Sequence, residues 1–380
     1  MNAGHTISLR PRPFRGGSCD LLVVPTICNG SYSADATGFA VALTLLLVHV
    51  QRINGNYPKR MQAVSTPVQP LIANPYIVGR PLTGEISSLY VGREDVFSWF
   101  HENLVGATRP NALLLYGRRR IGKTSTLYQL VDGERGRYLR ENSQRAIIPI
   151  YVDLQRFAGR PTGEWLRRLS REICNRANVS YTDCSIPDHV MEEESAYTVF
   201  DRCLDQLEQS IPSGSLLLLA LDEFEQIRAG IDAGALDLEI LPFLRSQIQH
   251  RSRIAFVLCG SGALLGEFWW PIVDLAARCE LTGLDHDQTE ILIRTPLDGT
   301  LDIEPEAVEL IWQHTGGHPY LIQSICHRLV GQANRNRSRE AISPDDVIHV
   351  IAQMQAEPRA SDVNLIGVDY EDLPKEGALP

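Results

Sequence analysis

A strand, a glycine turn and a helix follow one another in residues 112–130, and that succession restricts what the chain can build. Ala112 to Gly117 (ALLLYG) is a short apolar run ending in glycine, which suits a strand covered on both faces. The next residues, Gly117-Arg118-Arg119-Arg120-Ile121-Gly122-Lys123-Thr124, fit the spacing G-x-x-x-x-G-K-[ST]. From Thr126 to Leu130 the apolar spacing becomes helical. The glycines let the backbone turn its N–H groups inward as far as Ser125, and the positive end of the helix adds attraction for an anion. Such a loop cradles phosphates. Lys123 is placed to reach the β and γ phosphates of a nucleotide, and the Thr124 hydroxyl to ligate Mg²⁺. For Arg118, Arg119 and Arg120 three roles stay open: solvated loop charges, a docking surface for an acidic neighbour, or extra phosphate ligands.

A loop of this kind requires a second strand that delivers a carboxylate to the metal. Ser215 to Asp222 (SLLLLALD) supplies it, with leucine at five of the six positions from Leu216 to Leu221, the mark of a strand buried on both faces. Asp222 is expected to hold Mg²⁺ through water, and Glu223 to orient and deprotonate the water that attacks the γ-phosphate. Glu225, two residues further, is expected to face solvent or to cap the next segment. Ala146 to Leu154 (AIIPIYVDL) reads as another buried strand between the two motifs. That extra strand favours the ATPase subdivision with a catalytic glutamate over kinase-like and GTPase-like folds. Ile254 to Cys259 (IAFVLC) leads into Gly260-Ser261-Gly262, where Ser261 is either a γ-phosphate sensor or an ordinary turn serine.

The flanks differ in character. Residues 1–75 are rich in Gly, Pro, Ser and Asn and carry six cations against two aspartates. Within them Ala36 to Val50 is apolar but shorter than the roughly 17–25 residues of a spanning helix, and Thr37, Gly38, Thr44 and His49 interrupt it. It is a buried or partner-binding helix, the last fragment of a membrane anchor, or an upstream segment that never folds. A secretory signal does not fit its position. From Leu281 to about Gln355 amphipathic helices are expected over Gln288–Ile293, Glu306–His314, Pro319–Val330 and Pro344–Met354, forming a small bundle. The acidic tail beyond Glu357 lacks helical periodicity and reads as disordered. The basic loop Arg335 to Glu340 reads as a solvated turn, with contact to nucleic acid as the alternative.

Lys plus Arg number 36 against 46 Asp plus Glu, a net charge of -10, which argues against a surface built to coat nucleic acid. The eight cysteines show no CxxC pair or Cys/His cluster, as expected of reduced thiols in a cytoplasmic protein. The domain reading is 1–75 low-order segment, 76–280 ATPase core, 281–356 helical lid and 357–380 tail. The fold class is α/β, a P-loop NTPase core with a parallel sheet flanked by helices, followed by a small all-α lid.

Taken together, these residues resemble the AAA+ and STAND signalling ATPases, in particular the bacterial and archaeal branch whose loop reads G-x-R-R-x-G-K-[ST]. The resemblance spans about residues 74–355. It includes Asn74-Pro75-Tyr76, the Gly79-Arg80-Pro81 turn, and Tyr90-Val91-Gly92-Arg93-Glu94 ahead of the first strand. From the residues alone, Gly92-Arg93-Glu94 is a turn entering an amphipathic helix (Val96, Phe97, Phe100). The resemblance implies that Gly92 and Arg93 lie beside adenine. Thr315-Gly316-Gly317-His318-Pro319-Tyr320 is a corner between helices, and the resemblance implies that His318 and Pro319 approach the nucleotide from the lid. Two departures stand out: the arginine that many such proteins carry after the sensor strand is missing, and no arginine finger is evident. Arg278, just before the expected fifth strand, is the candidate to act on a neighbouring subunit. The implied function is a cytoplasmic, Mg-dependent ATP-binding switch, slow without a partner, with ATP or ADP as ligand and a nucleotide-dependent homo-oligomer or a protein as partner. The alternatives are a nucleic-acid-associated AAA+ initiator or remodeller and a non-hydrolysing scaffold that keeps ADP bound.

Overall fold

The computed structural model describes residues 71–107, 112–177, 195–336 and 341–356. Five apolar runs pair in parallel as one sheet of order β2-β3-β4-β1-β5. They are β1 (Ala112–Gly117), β2 (Ile147–Asp153), β3 (Leu216–Asp222), β4 (Ile254–Gly260) and β5 (Ala276–Leu281). Every residue of β3 and β4 is buried, as their unbroken apolar sequences require. The edge strand β5 (AARCEL) is mostly half-covered, and there charged residues are tolerated. After β1 the chain crosses to the far edge, returns through β3 and β4 to lie beside β1, and only then adds β5. Such a reversal opens a crevice beyond the carboxyl ends of the strands.

Successive side chains of β3 point to opposite faces, so its leucines feed two cores. On one face Leu218 and Ala220 pack with helices α1 (Glu94–Leu104), α2 (Lys123–Val131) and α3 (Glu134–Glu141) through Phe100, Leu127 and Leu139. On the other, Leu217, Leu219 and Leu221 meet α4 (Thr162–Arg176), α5 (Ala196–Ser210), α6 (Gln226–Asp232) and α7 (Ile240–His250) through Leu166, Phe200, Ile227 and Leu244. A four-residue helix α8 (Trp270–Val273) precedes β5.

The remaining helices are α9 (His286–Arg294), α10 (Pro305–Thr315), α11 (Pro319–Arg335) and α12 (Pro344–Ala356), with a two-residue parallel pair, β6 (Asp302–Ile303) and β7 (Ala341–Ile342). They enclose a separate core around Ile293, Ile311, Ile322, Leu329 and Val350. Asp285 and Gln288 form a capping box at the start of α9. Gly316 (φ 55°) ends α10 in the left-handed conformation and Pro319 opens α11, as the Gly-Gly-His-Pro order requires. The strip from residue 72 to residue 77 lies along α11: Ile72 exchanges two hydrogen bonds with the Asn334 side chain, Asn74 donates to His327 O at 2.9 Å, and Ile77 N–H donates to Gln323 Oε1 at 3.2 Å. A boundary at residue 75 therefore falls inside this strip.

The apolar run at 36–50, Cys19, Cys28, Cys184, most of the 335–340 loop and the tail beyond Glu357 lie outside the described residues. Among the described residues no helix is long and apolar enough to cross a membrane, and the five cysteines are free thiols.

Gly317 sits at φ 74°, and a Cβ there would lie 1.8 Å from Leu284 O, the neighbour whose N–H bonds Gly317 O at 2.8 Å. Gly317→Ala should lower stability by about 2–4 kcal/mol, from left-handed strain plus overpacking. Equilibrium denaturation checks this, and an unchanged midpoint would contradict it.

Candidate functional site

A cavity of about 420 Å³ opens beyond the carboxyl ends of the strands. Arg119 to Thr126 border it from the loop after β1, Glu223 from the exit of β3, and Leu284, Leu292, Pro319, Tyr320 and Gln323 from the helical lid. Ile77, Tyr90, Val91 and Arg93 close it from the segment ahead of α1. Gly92, Gly117, His318 and Asp222 are buried next to this lining, and the exposed Arg118 is tied to it through its backbone carbonyl.

The loop needs its glycines for different reasons. A Cβ on Gly117 would lie 2.5 Å from Leu281 O, on the strand paired with β1, whereas Gly122 takes φ 108° as it enters α2. Lys123 Nζ donates to Gly117 O at 3.1 Å and Arg118 O at 2.9 Å, which holds the ammonium across the loop. Ser125 Oγ accepts from Leu82 N–H at 3.0 Å, and the Thr126 hydroxyl meets Tyr90 Oη at 2.9 Å. Burial, with Thr126 and Arg93 opposing it, pushes Tyr90 up to about 12.

Arg93, at φ 72° and 6% exposed, donates to Thr282 O at 2.7 Å and to Ile121 O at 3.2 Å. Burial lowers its pKa from the ordinary arginine value. Gly92 (φ 71°) packs so closely on Gln288 that a Cβ would meet that side chain at 2.4 Å. The Gly92-Arg93 pair thus joins the phosphate loop, the strand exit of β5 and helix α9. From the lid, the buried His318 has Nε2 3.1 Å from Arg119 O; a carbonyl only accepts, so Nε2 carries the proton. The Arg120 guanidinium stands 4.3 Å from the centroid of the Tyr320 ring. Of the three loop arginines, Arg120 meets the lid through its side chain, Arg119 meets it through its backbone carbonyl, and Arg118 and Arg119 are exposed.

Asp222, 2% exposed, pairs in register with Asp153 of β2. Its Oδ2 accepts from Tyr151 Oη at 3.0 Å and its Oδ1 from Glu223 N–H at 3.0 Å. Burial and then the Asp222 charge push the Tyr151 phenol well above its ordinary value. Glu223 takes φ 53° and borders the cavity. Burial raises its pKa, Glu225 and Asp222 add to the rise, and Lys123 opposes it.

Two expectations change, at Glu225 and at Arg278. Glu225 neither faces solvent nor caps α6 with its side chain; its Oε1 accepts from Ser261 N–H at 2.9 Å, because β4 lies beside β3. Ser261 has that N–H engaged and stands outside the cavity lining. Arg278 lies inside β5 rather than before it, paired with Asp274 at 2.9 Å.

Tyr151 and Gln155 escaped the sequence reading. Gln155 borders the cavity and its N–H donates to Asp153 Oδ1 at 2.9 Å. The available signal was the Tyr-Val-Asp ending of β2, which becomes informative once β2 is placed beside β3. Tyr151→Phe should cost about 1–3 kcal/mol by leaving a buried Asp222 oxygen without its donor. Urea denaturation measures this, and an unchanged midpoint would show that the bond contributes nothing.

No protein-family model matches the chain, and no curated protein matches it in sequence. Among solved structures it is similar to the Walker-type ATPase of Pyrococcus abyssi, with a TM-score of 0.52 and 19% identity over 77% of this chain and 78% of that one. It is also similar to the ORC1 protein of Aeropyrum pernix in complex with DNA, with a TM-score of 0.48 and 17% identity over 76% and 73%. A third similar structure is the RuvB Holliday junction branch migration motor of Thermotoga maritima, with a TM-score of 0.44 and 14% identity over 77% and 80%. With its five-stranded parallel sheet flanked by helices and the glycine loop that follows β1, the chain has the P-loop NTPase fold.

Proposed function

We propose that this chain binds Mg-ATP between the phosphate loop and the helical lid and hydrolyses it to ADP and phosphate. In this reading nucleotide state sets lid position and association with a second copy or a protein partner, as in a signalling switch. The observation that carries the proposal is that Lys123, Thr124 and Glu223 border the same cavity as the lid residues Pro319 and Tyr320. Its charge supports a polyanion: Arg80, Arg93, Arg119, Arg120 and Lys123 line it against one carboxylate, Glu223.

The oxygen donors at the loop and at the end of β3 suit a hard cation. Asp222 accepts from Tyr151, from Glu223 N–H and from the Cys259 thiol, which leaves one of its four lone pairs for a cation, so Thr124 and Asp222 would hold Mg²⁺, which supplies charge neutralisation at the phosphates. Lys123 and the loop N–H groups bind and orient the phosphates. The ionised Glu223 carboxylate takes the proton of the attacking water, and its raised pKa makes it a stronger base than an exposed glutamate.

Lys123→Ala should abolish ATP binding in calorimetry, whereas Glu223→Gln should bind ATP and release no phosphate in single turnover. Equal ATP affinity in wild type and Lys123→Ala would refute the site. A wild type that binds nucleotide but releases no phosphate would favour the ADP-bound scaffold.

Glu223 also predicts a pH effect on stability. Its folded pKa is raised, so the folded chain binds more protons than the unfolded one between the ordinary and the raised value, and stability falls as pH climbs through that window. Glu223→Gln should therefore raise Tm at pH near 7, and the gain should vanish below the ordinary glutamate pKa of about 4.3. Thermal melts across pH test this, and a gain that persists at low pH would contradict the charge origin.

A further inference from the structure

The turn that carries Glu223 is bound to its neighbouring strand at two points. After β3, Phe224 N–H donates to Cys259 O at 2.9 Å, and its ring is buried. Glu225 then turns its carboxylate back across the end of β4. Oε1 accepts from Ser261 N–H at 2.9 Å, and Oε2 is buried with no hydrogen-bond partner. The space for this carboxylate exists because residue 260 is glycine, since a Cβ there would lie 2.1 Å from Glu225 Oε2. Burying an unpartnered carboxylate oxygen is unfavourable, and a glutamate at the start of a seven-residue surface helix has solvent within reach. Its inward rotamer therefore requires a compensating role.

Between these two bridges and Asp222 stands Glu223, at a φ of 53° that a non-glycine residue adopts only when its surroundings impose it. Relaxation to negative φ would carry the Glu223 carboxylate away from the cavity. Glu225 does not itself border the cavity, so any effect it has on chemistry passes through Glu223.

We propose that Glu225 is a positioning residue: by clamping the exit of β3 to the end of β4, it holds the Glu223 carboxylate aimed at the attacking water. This rests on the ATPase reading above. It assigns a role to the third carboxylate of the Asp-Glu-Phe-Glu sequence and to Gly260, neither of which touches nucleotide.

The test measures steady-state ATP hydrolysis and calorimetric ATP affinity on the full chain. Glu225→Ala should lower kcat roughly 10–100-fold, the scale of a small misplacement of a reacting group, while ATP affinity stays at the wild-type value. Glu225→Gln keeps an acceptor oxygen for Ser261 N–H and should recover most of the kcat lost in Glu225→Ala. Gly260→Ala displaces the carboxylate without removing it and should reproduce the kcat loss at unchanged affinity, so the test survives if Glu225→Ala fails to fold. Wild-type kcat in Glu225→Ala, or a fall in affinity as large as the fall in kcat, would overturn the positioning role and leave the ATPase reading standing. A wild-type chain that binds no ATP would defeat that reading and the positioning role with it.

Discussion

The site depends on β4 lying between the strand that leads into the phosphate loop and the strand that ends in the acids. Adjacent strands stand about 4.8 Å apart, so the exits of β1 and β3 are separated by roughly 10 Å. That gap leaves Lys123 and Glu223 bordering one cavity, the space that the proposed triphosphate would occupy. β4 keeps the spacing because every one of its residues is buried and it is held in register on both sides. It also ends in glycine, which leaves room above it for the carboxylate of Glu225. A larger residue at that end would alter the geometry of the acidic turn without touching the phosphate loop.

The second dependence is between loop and lid. His318 bonds the carbonyl of Arg119, Tyr320 receives the guanidinium of Arg120, and Arg93 spans from Ile121 O to Thr282 O just before α9. Two of these contacts use backbone carbonyls of the loop itself. His318, just before α11, takes the Arg119 carbonyl, and Arg93, ahead of α1, takes the Ile121 carbonyl. Rearrangement of residues 118–122 would therefore be felt at the start of α11 and at the hinge before α9 without any side chain being exchanged.

Much of this was legible in the sequence, for identifiable reasons. Strands buried on both faces leave unbroken apolar runs, so β1, β3 and β4 could be placed within a residue. Turn chemistry is local, so the Gly-Gly-His-Pro corner and the loop glycines could be read directly. What escaped depends on strand order, which spacing along the chain does not encode. Tyr151 meets Asp222 because β2 pairs with β3, and Glu225 meets Ser261 because β4 does. Glu225 looked exposed three residues after the end of β3 because that expectation assumed open space beside the strand. The strip from residue 72 to residue 77 was divided for a similar reason: it follows a stretch rich in Gly, Pro, Ser and Asn, but its partners lie some 250 residues away on α11.

Electrostatics links these pieces. Asp153, Asp222, Glu223 and Glu225 gather at the ends of β2 and β3, and their mutual repulsion appears where burial and neighbouring acids raise Asp153 and Glu223. On the other side of the cavity the lining cations repel one another. Relief within the protein is partial: Lys123 opposes the rise at Glu223, Arg156 opposes it at Asp153, and Asp95 offsets part of the burial at Arg93. A ligand that brings anionic phosphates to the arginines and a divalent cation to the carboxylates relieves both halves at once. Either component alone would relieve one half and leave the other, so under the proposed function the arrangement would favour joint binding of metal and nucleotide over binding of each separately.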